Sequence, residues 1–278
     1  MKKLFSILKT ACLVILASPL VLAWLPPAWL QAWLPRAWGS ASWQPPTALD
    51  PAFMASLHSS FRELAITLGV SVVFVTLVTS LLGFASVLSQ RFGRSAASVL
   101  KAVESVPSIL VALFCYAPVS VFLARNSSGA SQAASITIFI LAAALTTLPE
   151  AVRGVAIPLG DLYHRKYSLS FRSYGLAKRR ILAVLMRSRA MRAAFRRAAA
   201  GILLKTLVLD CSFGFIIQLG FGSYGTPAHA SPGALIAAHR DALFAGGASV
   251  LFWLPSVLVA AVSTAFLLML GGERGLDA

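Results

Sequence analysis

The chain has 278 residues, 58% of them hydrophobic and only 12% charged, with a mean hydropathy of +0.80. A soluble globular domain needs far more polar surface than that, so lipid is the solvent for most of this chain, and its length suits about six spans of roughly 20 residues. The formal net charge of +15 does not point to nucleic acid, since no basic soluble domain or recognition motif accompanies it; in a membrane protein, excess Lys and Arg mark cytoplasmic loops and contact anionic headgroups.

Met1 to Trp24 has a positive start and an apolar run from Thr10. A signal peptide with small residues Ala17 and Ala23 near its end is one reading. A retained first span is the other, and it is preferred because an even number of spans is then easiest to orient. Leu25 to Pro46 repeats Ala-Trp-Leu-Pro units, and five of the six tryptophans fall between Trp24 and Trp43. Tryptophan favours the membrane interface and proline prevents a continuous helix, so this segment is expected along the outer interface. Asp50 is placed to cap a short helix with Phe53, Leu57 and Phe61 on one face. Residues 1–60 are thus read as an N-terminal helix with an external segment, and 61–278 as the transmembrane domain.

The second span is expected at about Leu64 to Leu88. The third runs from about Ala97 to Leu123 and contains Glu104 and Pro107, where the missing N–H should kink the helix or mark its start. A polar turn at Asn126 to Gln132 leads to the fourth span, about Ala133 to Ala156, with Pro149 and Glu150 near its end. A basic stretch from Asp161 to Arg197 then carries eleven of the 24 Lys and Arg. The fifth span covers about Ala198 to Leu219 with Lys205 and Asp210 inside it. Gly220 to Phe244 reads as a re-entrant or loop segment, and the sixth span runs from about Ala248 to Leu270.

With the N-terminus inside, the inner segments carry nearly all the basic residues and the outer ones only Arg36, Arg62, Arg125 and Arg240. This asymmetry obeys the positive-inside rule and places both termini in the cytoplasm. The expected fold is all-α and polytopic, with about six transmembrane helices.

Motifs for chemistry are sparse. Gly220 to Gly225 matches GxGxxG, but it follows a membrane helix with no strand before it, and reads as a turn. No GxxxxGK[ST] occurs, so this chain does not hydrolyse ATP through a P-loop. Cys12, Cys115 and Cys211 are far apart in apolar runs and pack as small hydrophobes. His58, His229 and His239 lack metal-ligand spacing. No nucleophile–base arrangement is evident, so no catalytic, metal or cofactor-binding residue is expected. Charges inside spans are costly and mark functional sites by default, which makes Glu104, Glu150 and Asp210 candidates for a pathway or gate, with Pro107 at the expected kink beside Glu104.

Within the basic stretch, Tyr163, Tyr167, Phe171 and Tyr174 recur at helical spacing and should share one face. Gly175 can take the left-handed conformation that ends a helix. Lys178-Arg179-Arg180 opens a second helix through Ile181, Leu182, Leu185 and Met186, and Arg189, Arg192 and Arg196 line its later turns. A basic amphipathic segment on anionic lipid explains the arginines but not an aromatic stripe ending at a glycine.

The pattern Tyr167–x7–Gly175–x5–Ile181, before the penultimate span, resembles the cytoplasmic loop of ABC importer permeases of the dipeptide/oligopeptide/nickel branch, Y-x-E-A-A-x-x-x-G-x-x-x-x-x-I. Ser105 to Leu113 is similar to that family's FPSLLLAL stretch, and Leu148 to Arg153 to its WPxYAR segment. Asp210-Cys211-Ser212-Phe213 resembles EASLSF, and Leu268 to Ala278 resembles NLLGDGLRDALD. Three departures stand out. Leu169-Ser170-Phe171 replaces the family's Glu-Ala-Ala, Arg187-Ser188 replaces its Leu-Pro, and the short helix before the second span lacks its G-T-D-x-x-G-R-D run. The resemblance implies a permease subunit of the bacterial inner membrane for peptides, nickel or related small solutes. It also implies a homologous second permease, two cytoplasmic ATPases that bind ATP and Mg, and an external substrate-binding protein. The stretch at about 158–197 would couple to the ATPases, and Leu169 cannot form the family's ion pair, so docking would rely on aromatic burial. The competing reading is a non-transport membrane scaffold whose basic loop binds anionic lipid or a partner protein.

Overall fold

A computed structural model describes residues 2–24, 50–115, 130–220, 231–244 and 249–271. The Trp-rich segment, residues 126–129 of the turn expected at Asn126 to Gln132, the GxGxxG match beyond Gly220, His229 and the C-terminal tail lie outside the described residues, as does the end of the expected third span; Ala130 to Gln132 of that turn are helical. Every described element is helical: α1 (Lys2–Leu22), α2 (Pro51–Leu88), α3 (Gln90–Glu104), α4 (Ser108–Cys115), α5 (Ala130–His164), α6 (Lys166–Ser173), α7 (Lys178–Met186), α8 (Arg189–Gly220), α9 (Pro232–Ala238), a 3-10 turn (Arg240–Leu243) and α10 (Val250–Gly271). Among them α2, α5, α8 and α10 are long and apolar enough to cross a membrane, and α3 with α4 makes a fifth if that bent pair counts as one span. The chain is a multi-pass α-helical membrane protein.

The boundaries depart from the sequence reading at several places, and α5 runs on to His164 rather than ending near Ala156. The short helix after Asp50 and the second span are one 38-residue helix, because nothing between Phe61 and Leu64 breaks the hydrogen-bond ladder. The expected third span is broken: α3 and α4 meet at 90° across Ser105–Pro107, and Pro107 accepts the first hydrogen bonds of α4, from Leu110 and Val111. The arginines Arg189, Arg192 and Arg196 do not continue the second loop helix; that helix ends at Met186, and they form the first turns of α8, where Met191 N–H is capped by Ser188 Oγ at 3.3 Å.

α2 shows why these helices associate in lipid. Thr67, Ser71, Val75, Thr79 and Gly83, each four residues apart, are buried, while Val73, Leu77 and Leu81 on the opposite side are exposed. Small residues face the neighbouring helix and let the backbones approach, and large apolar residues face outward, the reverse of a water-soluble helix. At Gly83 an added Cβ would sit 3.0 Å from Val155 Cγ1 of α5.

The bundle is tiered. At one end Phe53, Leu57, Phe61 and Leu64 pack with Leu207, Leu235, Val262 and Phe266. In the middle, Val75 packs with Ala144, Ala151 and Ile202, and nearer the α9 end Ala112 of α4 packs with Phe139 and Phe213. At the other end, Val155, Leu159 and Leu162 pack with Ile181, Leu182, Leu185 and Met191. The basic stretch therefore sits at one end of the bundle and α9 at the other. A 38-residue and a 35-residue helix span about 57 and 52 Å, against roughly 30 Å of hydrocarbon, so α2 and α5 project well beyond the apolar slab.

α9 is held tightly. Its Pro232, Gly233, Ala234, Leu235 and Ala237 are buried, and Ser231 Oγ caps it by accepting from Ala234 N–H at 3.2 Å. A Cβ at Gly233 would fall 1.8 Å from the Cys211 carbonyl oxygen, so only glycine allows α9 to lie against α8 there. The segment expected as a re-entrant stretch or loop is, over Pro232–Ala238, a short buried helix.

Candidate functional site

The candidate site is built where α5 ends. Arg165 leaves helical geometry (φ −72°, ψ 155°), which separates α5 from α6. The aromatic stripe expected on one face is therefore split between two elements. Tyr163, in the last turn of α5, is half-buried and turned into the bundle-end core. The Arg172 guanidinium lies 3.8 Å from its ring centroid, and Arg172 also donates to the Tyr163 carbonyl at 2.8 Å. Lys178 Nζ stands 5.3 Å from the same ring and donates at 2.9 Å to the Leu88 carbonyl, at the C-terminal end of α2. One tyrosine with two cations thus ties α6 and α7 to both α5 and α2. These contacts satisfy a helix-end carbonyl and place charge against an aromatic face, each a stabilising arrangement.

α6 buries Ser168 and turns Leu169 and Phe171 outward. Leu169 is 51%, Phe171 36% and Tyr174 83% exposed. Tyr167 belongs to α6, and its side chain lies outside the described residues. The helix ends as expected at Gly175, whose φ is +75°. Gly175 N–H donates to the Arg172 carbonyl at 2.9 Å and Leu176 N–H to the Phe171 carbonyl at 3.2 Å, the paired bonds of a Schellman termination. Ala177 then starts α7, in which Ile181, Leu182 and Leu185 are buried against α5. The result is a packed helical hairpin with an apolar tip. Around the tip Lys166, Arg179, Arg180, Arg187 and Arg189 are exposed.

The charges expected in or near spans are engaged. Glu104 at the end of α3 pairs with Arg153 of α5, and Glu150 of α5 pairs with Lys205 of α8. Both pairs link neighbouring helices across the bundle's surface. Asp210 is wholly buried in α8, next to Cys211 where α9 approaches. The four pathway candidates do not converge. Glu104 and Pro107 belong to the α3–α4 corner, Glu150 to the middle of α5, and Asp210 to the α8–α9 contact. His239 Nδ1 lies 3.0 Å from the Leu235 carbonyl and its ring stacks edge-on to Phe53, so it braces the end of α9. Among the described residues no group of His, Cys, Asp or Glu is arranged to hold a metal ion.

No protein-family model matches the chain. No curated protein matches it either. The functional reading therefore rests on the chain's own residues.

Sequence reasoning missed the Tyr163–Arg172–Lys178 cluster. Lys178 and Leu88 are 90 positions apart, and no local pattern announces their contact.

Proposed function

We propose that this chain is the permease subunit of an ATP-driven ABC importer of the bacterial inner membrane, similar to the second permease of peptide or nickel systems. The observation that carries the reading is the hairpin α6–Gly175–α7: an exposed apolar tip of Leu169, Phe171 and Tyr174 on a base anchored to α2, α5 and α8. A surface loop that served only to connect two spans would not need a buried core of its own or exposed aromatics at its tip. A loop that transmits force needs both, one to engage a partner and the other to move helices with it.

In this reading six spans, with α1 and the α3–α4 pair among them, leave both termini in the cytoplasm. The tip inserts into an apolar groove of a cytoplasmic ATPase that binds ATP and Mg, and a homologous permease and an external binding protein complete the assembly. Closure of the ATPases pushes the hairpin, and the Tyr163 cluster passes that displacement to α2 and α5. Leu169 replaces an acidic contact, so the tip engages by apolar burial. The exposed arginines around it favour the second reading, a membrane scaffold whose basic face binds anionic lipid.

The two readings separate in one experiment. The chain is co-expressed with the products of its neighbouring genes and purified, and ATPase activity in the complex is measured for the parent and for Phe171→Asp. A central interface anchor contributes about 2 kcal/mol or more, so retention of the ATPase should fall about 30-fold. Unchanged retention with Phe171→Asp, or no P-loop ATPase in the complex at all, refutes the coupling role.

A further inference from the structure

A second site lies outside the hairpin, between α3 and α5. α3 follows α2 after a single residue, Ser89, and its axis turns by 90° to α4, which packs in the bundle beside α5 and α8. It therefore runs across the direction of the spans. Phe92, Ala96, Val99, Leu100 and Val103 fall on one side of it at helical spacing, and Arg91, Arg94 and Lys101 fall on another. No residue of α3 is buried, and Phe92 and Val99 are 43% and 64% exposed. A helix of this pattern, lying crosswise at the end of a membrane bundle, belongs at the boundary between acyl chains and headgroups.

Between this helix and α5 there is a cleft of about 470 Å³. Ala97 and Leu100 of α3 and Pro149, Val152 and Ile157 of α5 form an apolar wall, with Lys101 and Arg153 at its polar margin. The charges there do not cancel. Arg153 is paired with Glu104, whereas Lys101 has no ion-pair partner among the described residues, and Arg94 shares its helix face seven residues away. Ser86 and Ile157, which also line it, place the cleft toward the hairpin end of the bundle.

We infer that this α3–α5 cleft is a binding site for one anionic phospholipid, its acyl chain against the apolar wall and its phosphate on Lys101. A soluble anion has no use for the apolar wall, and a zwitterionic lipid gains less from the uncompensated cation. An anionic phospholipid matches both halves of the site. Occupancy would fill the angle between α3 and α5 and so hold the crosswise helix in place. The inference needs only the membrane character of the chain and is independent of the importer reading.

The test loads the purified full chain from vesicles of equal phosphatidylglycerol and phosphatidylcholine, then counts the lipids it retains in mild detergent by mass spectrometry. The parent chain should keep phosphatidylglycerol in preference to phosphatidylcholine. Lys101→Gln should lose about fivefold of that preference and Lys101→Arg should restore it. Both substitutions are at an exposed position and leave the fold undisturbed. Ala97→Trp fills the cleft without altering charge and should also abolish retention. Equal retention of the two lipids by the parent, full retention by Lys101→Gln, or displacement of the lipid by millimolar inorganic phosphate alone would each overturn the assignment.

Discussion

Replacing Gly175 by alanine isolates a backbone effect at the hinge of the hairpin. Its φ of +75° lies in the left-handed region, and an added Cβ would meet nothing within 4 Å. The cost is therefore conformational, about 1–2 kcal/mol for placing an L-residue in left-handed geometry. That change should accelerate hydrogen exchange of the amides at 175 and 176, which close the Schellman termination, by about 5- to 30-fold. Gly160, in α5, also has open space around it but a helical backbone. The same substitution there should slow local exchange, because alanine in a helix is worth about 0.5–1 kcal/mol over glycine. Asparagine at 175 should fall between glycine and alanine, since it tolerates the left-handed region. Exchange of detergent-solubilised protein, followed by mass spectrometry on peptides covering 155–162 and 171–177, reads all three. An unchanged hairpin in Gly175→Ala, or the same sign of effect at 160 and 175, would refute the assignment of Gly175 as a conformational stop.

Three further outcomes follow from the packing. Leu182 is fully buried where α7 meets α5, so Leu182→Ala should cost about 2–5 kcal/mol locally and raise proteolysis within 166–187 before the spans unfold. Gly233→Ala should displace α9 from α8, because its Cβ would overlap the Cys211 carbonyl; thermal unfolding in detergent should drop sharply, whereas Gly69→Ala, helical with open space around it, should raise it slightly. Glu150→Gln strands Lys205 on the α5–α8 seam at a cost of about 2–3 kcal/mol, and adding Lys205→Met should recover most of that loss.

Much of this architecture is written in local patterns. The spans follow from runs of apolar residues, and the stop at Gly175 and the buried row Ile181, Leu182, Leu185 follow from turn chemistry and helical period. The break at Ser105–Pro107 was half legible: Pro107 signals a discontinuity, but the residues before it read as part of the third span and not as a separate amphipathic helix. Its 90° turn depends on α2 and α5, which no local window contains. The split of the aromatic stripe at Arg165 carries no proline or glycine signal. What turns Tyr163 inward is the pair of cations from α6 and α7, and the Leu88 carbonyl that Lys178 caps. Contacts of that separation are set by tertiary packing, and the candidate site was therefore readable in its residues but not in which of them face the partner.

The most direct test of the coupling account is photocrosslinking from the tip. Tyr174 is 83% exposed on the hairpin, and Phe244 is 89% exposed at the opposite end of the bundle beside α10. A benzophenone amino acid placed at each position in turn, in membranes containing the neighbouring-gene products, reports what each end touches. An adduct with a P-loop ATPase from position 174 and none from position 244 is the predicted result. ATPase adducts from both positions, or from neither, would contradict a motor docked on this hairpin.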